Sequence, residues 1–301
     1  MTRRILIIHN PTAGKRRTAL LDGVVAVLRA RGVSVDVVVT AGLDHATDLA
    51  HAAEADLVVA AGGDGTINEV VHGLMTRSGV RPAFSTLPLG TINVLALELE
   101  LPPDAAGLAG VLAEGPLIPV TVGCANGRHF LLTAGAGADA AAVKFLSPGL
   151  KKLFGQTAYY IALVRALIAE GNTVFDVEIE GATHRVSSVI ITNAARYAGD
   201  KVVAPDARLT ARDLHVLIGL RHGRWNLMRY GAAYLRGNLY TLPDVRIIPV
   251  QRMRIASPVG KPVQLDGDNR LVTPVDIEVV DDALMVASAG ADAHRNISSP
   301  S

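Results

Sequence analysis

LVVAAGGDGTINEVVHGL, residues 57–74, is the stretch whose reading decides the fold. Leu57 to Ala61 is an almost purely apolar run, as a strand buried on both faces of a parallel sheet requires, and Val70 to Leu74 reads as a helix. Between them Gly62, Gly63, Asp64, Gly65, Thr66, Ile67, Asn68 and Glu69 form a turn at the carboxyl end of a strand, where open α/β sheets take their ligands. Glycines there let the backbone approach a phosphate and tolerate the positive φ of a tight turn. Asp64 carries a different implication. A carboxylate beside phosphates is repelled unless Mg²⁺ or a transferable proton lies between, so it points to catalysis or metal bridging. The competing reading is a tight strand-to-helix turn with Asp64 as the helix cap.

The 301 residues suffice for one large or two ordinary domains. Half are hydrophobic and only 4% aromatic, so the core must be built from Ala, Val, Leu and Ile, which suits buried parallel strands. A net charge of +1 without a long basic run gives no support to nucleic-acid binding. The single cysteine, Cys124, leaves no internal disulfide and no four-cysteine zinc site; it fits a reducing compartment and reads as a small buried hydrophobe. With the first strand starting at Arg4 or Ile5, a signal peptide is not expected, and no apolar run reaches membrane-span length. A cytoplasmic protein, at most peripherally bound to a membrane, is the expectation.

Upstream of the central turn, Ile5 to His9 is a short apolar strand followed by Asn10, Pro11, Thr12, Ala13, Gly14 and Lys15. Small residues ending in a cation suit a loop facing phosphate, although the spacing is not that of a P-loop and a plain surface loop reads equally well. Thr18 to Arg31 has helical periodicity, Val33 to Val39 is a strand ending at Thr40, and Asp44 to Ala55 reads as a helix capped by Asp44. Two βα repeats in succession predict right-handed crossovers and a parallel sheet. After a helix starting near Asn68, the strand Ala83 to Leu87 empties into Pro88, Leu89, Gly90, Thr91, Ile92 and Asn93, and a helix follows from Val94 to Leu99. Thr91 and Asn93 read as helix caps as readily as ligand contacts. Three strand ends, at Asn10, Gly62 and Gly90, fall along one edge of the sheet, and a shared nucleotide site is the economical reading.

From Leu117 the texture changes to short strands and turns: Ile118 to Val122, a hairpin signal at Asn126 and Gly127, His129 to Thr133, and a strand series from Thr173 to Ala287 interrupted by a helix at Thr157 to Glu170. The predicted class is α/β plus all-β: a three-layer parallel-sheet nucleotide domain over 1–120, an antiparallel β-sandwich over 121–290 and a disordered tail over 291–301. Asp139 sits in a small-residue stretch, Ala134 to Ala142, and reads as a turn or cap at least as readily as a residue lining a cleft between the domains. Lys144, Lys151 and Lys152 beside Phe145, Leu150 and Phe154 suit either an anionic membrane surface or a side packed inward. For Arg221, Arg224, Trp225, Arg229 and Arg236 a solvated face is the preferred reading.

Taken together, Asn10, Pro11, Gly14 and Lys15; Gly62 to Leu74; Pro88 to Asn93; Gly135 to Ala140; Gly155 to Tyr159; Asn193 to Asp206; and Asp266, Gly267 and Asp268 form an ordered set that resembles the diacylglycerol kinase and sphingosine kinase family of lipid kinases in its bacterial form, part of the NAD kinase-like superfamily. The resemblance implies ATP in a cleft, with a lipid alcohol approaching from the second domain. It implies that ATP meets Asn10, Thr12, Lys15, Thr40, the run from Gly62 to Glu69, Thr91 and Asn93. In this reading Asp268 takes the hydroxyl proton while Asp64 contacts the Mg²⁺ that ATP carries; the alternative exchanges the two roles.

Five positions depart from the family pattern. Asp268 stands where Glu is usual, one methylene shorter. Val94 and Thr121 stand where relatives have Asp residues of one magnesium network, and Ala211 and Arg212 replace an Asp-Gly pair that helps hold a structural cation. No protein-held metal site is therefore expected. The acceptor is read as diacylglycerol, with a sphingoid base or ceramide as close variants; NAD kinase and a non-catalytic nucleotide-binding relative are the alternatives. ATP, a lipid alcohol and a transient membrane surface are the expected partners, a homodimer is left open, and no nucleic acid is expected.

Overall fold

Strand β1 (Arg4–His9) pairs in parallel with β2 (Ser34–Val39) on one side and β3 (Leu57–Gly62) on the other, and β3 pairs in parallel with β4 (Ala83–Pro88). The computed structural model describes residues 3–12, 18–90, 92–145, 157–170, 173–281 and 283–290. Every residue of β3 is buried, which is why its sequence shows no alternation, whereas β2 at the sheet edge leaves Val37 and Val39 exposed. Helices α1 (Thr18–Ala30) and α5 (Ala105–Glu114) cover the face that carries Ile5, Ile7, Leu57 and Val59. Between them in the chain come α2 (His45–His51), α3 (Asp64–Thr76) and α4 (Val94–Glu98). Strand β5 (Leu117–Val120) ends this run.

Three readings of this unit change. Helix α3 starts at Asp64, four residues before its expected start, so Asp64 to Glu69 belong to its first turns and Gly63 is the cap. Two glycines suffice for the strand-to-helix reversal, and an acidic residue in the first helical turn is electrostatically favoured. Helix α2 is shorter than expected, and Asp44 precedes it with φ 60° and no side-chain cap bond. The strand Leu284–Ala287, read from the sequence as part of the sandwich, instead lies between β4 and β5, parallel to the first and antiparallel to the second. The first compact unit thus takes in the chain up to Val120 and this last strand, and the second runs from Thr121 to Asp281 rather than to residue 290.

The second unit holds β6 (Gly123–Ala125), β7 (Arg128–Phe130), β8 (Thr133–Ala136), α6 (Ala138–Phe145) and α7 (Thr157–Ala169). The strands β9 (Phe175–Ile179), β10 (Ala182–Val186), β11 (Val189–Thr192), β12 (Arg196–Tyr197), β13 (Lys201–Val202) and β14 (Leu214–Gly219) precede α8 (Arg224–Arg236). After it come β15 (Val245–Val250), β16 (Arg252–Ser257), β17 (Pro262–Leu265), β18 (Asp268–Val272) and β19 (Val275–Val279), and the strand returning to the first unit is β20. Two antiparallel sheets, ordered β10-β9-β16-β19-β6-β7 and β15-β14-β11-β8-β17-β18, share one core in which Phe175, Val177, Ile255 and Ile277 of the first meet Ala134, Val189, Ile191 and Val216 of the second. This is the expected sandwich with an addition. Leu217 and Val245 pack with Leu167 of α7 and Leu227, Tyr230 and Tyr234 of α8, a helical layer the sequence reading did not foresee at 224–236. Among the described residues no helix is long and apolar enough to cross a membrane.

Candidate active site

Four consecutive strand ends of the first unit are tied into one edge by backbone bonds. The Asn10 amide donates to Ala61 O (3.0 Å), the Thr40 amide to His9 O (2.9 Å), and the amides of Leu89 and Gly90 both donate to Gly62 O (3.2 and 3.0 Å). Side chains continue the lacing. Asn10 Nδ2 donates to Thr66 Oγ1 (3.1 Å), while its Oδ1 accepts from the Thr12 amide (3.0 Å) and hydroxyl (2.8 Å). The structure therefore gathers Asn10, Thr12, Thr40, Gly62 to Thr66 and Asn93 at one sheet edge; Lys15 and Thr91 lie outside the described residues.

The glycines here serve close approach rather than unusual dihedrals. Gly63 has φ −101°, and none of Gly62, Gly63, Gly65 and Gly90 takes a positive φ, contrary to the expectation from the sequence. A Cβ on Gly62 would sit 2.4 Å from Thr66 Oγ1, and one on Gly90 would sit 2.7 Å from Gly63 Cα. Gly63, the cap residue of α3, has no side chain to bond the first-turn amides, the arrangement found where a helix start receives a phosphate.

Not every residue of the run faces that edge in the same way. Ile67 and Asn68 are each 1% exposed, and the Glu69 carboxylate accepts from the Ala46 amide (3.3 Å), tying α3 to the first turn of α2. Asn93, at φ 56°, donates through Nδ2 to Gly90 O (2.8 Å) and so latches the third loop. Its buried Oδ1 meets no partner among the described residues and fits a ligand donor.

The second cluster forms at the β17–β18 hairpin. Asp266 (φ 47°) and Gly267 (φ 87°) are the two positive-φ residues of a tight turn. The Asp266 carboxylate, 4% exposed, accepts from the amides of Leu131 (2.8 Å), Leu132 (2.8 Å) and Thr133 (2.9 Å). Gln264 works as a double clamp: its Oε1 accepts from the Gly267 amide (2.7 Å) and its Nε2 donates to Asp139 Oδ2 (2.7 Å). Asn269 Nδ2 donates to Ala140 O (3.1 Å). Asp268 is left as the partly exposed carboxylate of the turn, 3.5 Å from the Arg270 guanidinium.

Gln264 is the residue the sequence reading missed, and Asp139 is one it set aside as a turn or cap. Asp139 packs directly over Gly135, where a Cβ would fall 1.8 Å from Oδ2. Burial pushes its carboxyl up to about 7, and the bond from Gln264 opposes that rise in part. A Gly four residues before an Asp, at the end of a small-residue strand, was the available signal.

The departures from the family pattern are built into the packing. Val94 is buried at the start of α4, the Thr121 hydroxyl donates to Ala211 O, and Thr121 O accepts from Asn193 Nδ2 (2.5 Å). Among the described residues no three His, Cys, Asp or Glu side chains gather as a metal site.

Comparison with known proteins places this geometry. The family model described as the diacylglycerol kinase catalytic domain matches residues 4–125, and the one described as the YegS C-terminal NAD kinase beta sandwich-like domain matches residues 133–288. The chain is 30% identical over 273 residues to diacylglycerol kinase of Bacillus subtilis, covering 88% of this chain and 89% of that protein. It is 30% identical over 278 residues to diacylglycerol kinase of Staphylococcus epidermidis, covering 89% and 86%. A crystal structure of a diacylglycerol kinase from Bacillus anthracis superposes with a TM-score of 0.76 at 23% identity, over 95% of this chain and 97% of that one, a likeness of fold.

Proposed function

The chain belongs to the diacylglycerol kinase family, and from that premise we propose that it is a lipid kinase that transfers the γ-phosphoryl group of ATP to the hydroxyl of a lipid such as diacylglycerol. The observation that carries the reading is the match of both family models, in order, to a chain whose first unit presents a helix start at Gly63, a cap residue without a side chain, and whose second presents a clamped carboxylate turn at Asp266 to Asp268. A sphingoid base or ceramide would need the same chemistry.

Phosphoryl transfer is mostly positioning and charge neutralisation. In this proposal the α3 amides and the lacing of Asn10, Thr12 and Thr66 hold the phosphates, and Thr40, Asn93, Lys15 and Thr91 complete the nucleotide contacts. Asp64, in the first turn of α3, would contact the Mg²⁺ carried by ATP, which would supply charge neutralisation. Asp268 accepts the proton of the attacking hydroxyl, and Arg270 beside it fixes its orientation. The acceptor lipid makes the protein a transient visitor to the membrane surface from the cytoplasm.

Radiolabelled ATP with a total lipid extract tests the reading: an organic-soluble labelled product is expected. A labelled dinucleotide would support a NAD kinase instead. Protection by ATP against heat without any product would support a non-catalytic relative, which the commitment of Val94 and Thr121 to packing favours as the second reading. Asp268→Asn is expected to lower kcat about 10²- to 10⁴-fold with little effect on ATP affinity, whereas Asp64→Asn is expected to weaken Mg·ATP binding as well. The opposite pattern would exchange their roles.

A further inference from the structure

Helices α7 and α8 pack closely, with the Leu167 side chain where a Cβ on Gly231 would stand, 2.3 Å away. The buried side of α8 is made by Leu227, Tyr230, Gly231, Ala233 and Tyr234. At 100° per residue Trp225, Met228, Ala232 and Leu235 form the opposite stripe. That stripe is apolar although it faces water: Trp225 is 81% exposed, the most of any aromatic residue of the described chain, and Met228 and Leu235 are exposed beside it. On α7, Val164 and Ile168, one turn apart, are likewise exposed.

Charge sharpens the pattern. Neither helix contains an Asp or Glu, and residues 220–236 hold four arginines and no acid. Arg221 and Arg229 are held by Asp244. The exposed guanidiniums that remain are Arg224 and Arg236 on α8 and Arg165 on α7. A solvated helix face mixes both signs and keeps indoles out of water; an exposed indole and aliphatic stripe on helices that carry arginines and no acid is the composition of a helix lying in a lipid interface.

We propose that the outer face of α8, centred on Trp225 and extended by the outer stripe of α7, docks on an anionic lipid bilayer. Trp225, Met228 and Leu235 enter the headgroup boundary while Arg224 and Arg236 meet lipid phosphates. The inference rests on the lipid-kinase reading for its purpose only, since docking needs neither ATP nor turnover.

Trp225 is the only tryptophan of the chain, so its emission reports on this face alone. Adding vesicles of phosphatidylglycerol and phosphatidylcholine to the full chain is expected to shift the emission to the blue and shield it from acrylamide. Phosphatidylcholine vesicles should do so less, and salt at about 0.5 M should reverse most of the electrostatic part. In co-sedimentation Trp225→Ala, and separately the pair Arg224→Glu with Arg236→Glu, should bind about tenfold less. Val80→Ser, at a site 91% exposed in the first unit, should bind as the parent does.

An unshifted emission with anionic vesicles, variants that sediment like the parent, or a blue shift that depends on protein concentration without vesicles would each overturn the proposal, the last by assigning the face to a second copy. Phosphorylation of detergent-dispersed diacylglycerol separates the two claims. If it is absent while vesicle binding persists, the kinase reading fails and the docking face stands; if it persists in a protein that ignores vesicles, the reverse holds.

Discussion

Two aspartates two residues apart have opposite fates. Asp266 is sunk among three backbone amides, and Asp268 is left partly open beside Arg270. Asp266→Ala would leave those buried donors unmatched, so a loss of about 3 kcal/mol or more in denaturant unfolding is expected, whatever happens to turnover. Asp139 supplies a pH test. Its folded carboxyl titrates near 7, while an unfolded one titrates near 4. Between those values the folded state binds the extra proton, so its contribution to stability is fully present below pH about 4 and is lost as pH rises towards 7. Asp139→Asn, which cannot ionise, should therefore gain stability relative to the parent across that range, and unfolding curves at several pH values would show the gap widening. A gap independent of pH would mean that Asp139 is ionised in the fold.

At the scale of elements, the strand-end edge depends on two loops touching through glycines. Gly90→Ala would drive a Cβ against the Gly63 backbone, which cannot yield as a side-chain end can. A cost of roughly 1–3 kcal/mol is expected, together with weaker ATP protection in thermal melts, because the same contact sets the start of α3. Thr66→Val probes the lacing more gently: it removes the acceptor of Asn10 Nδ2 while keeping the shape, and should weaken ATP binding more than it lowers the melting temperature. The sequence made the β3 turn readable because an apolar run and a glycine cluster are local signals. It misplaced the start of α3, since glycine permits a turn without dictating where the helix begins.

For the whole molecule, the decisive element is β20. Leu284, Val286 and Ala287 are fully buried between β4 and β5, so the first unit is completed by residues that follow the entire second unit. A chain ending at Asp281 should lose cooperative unfolding of the first unit and with it ATP protection, and adding back a peptide that spans 282–290 should restore part of the transition. A truncated chain that melts like the parent would mean that β20 is dispensable.

The sequence by itself determined the parallel α/β half, the sandwich half, the order of the family motifs and the two candidate carboxylates, because buried strands, turn glycines and motif spacing are written locally. Only the tertiary structure decided that β20 belongs to the first sheet, that Gln264 joins Asp139 to the Asp268 turn, and that the face around Trp225 stays uncovered. Those outcomes depend on contacts between residues as much as 202 positions apart, such as Ser85 with Ala287, and a period or a propensity carries no information about partners at that distance.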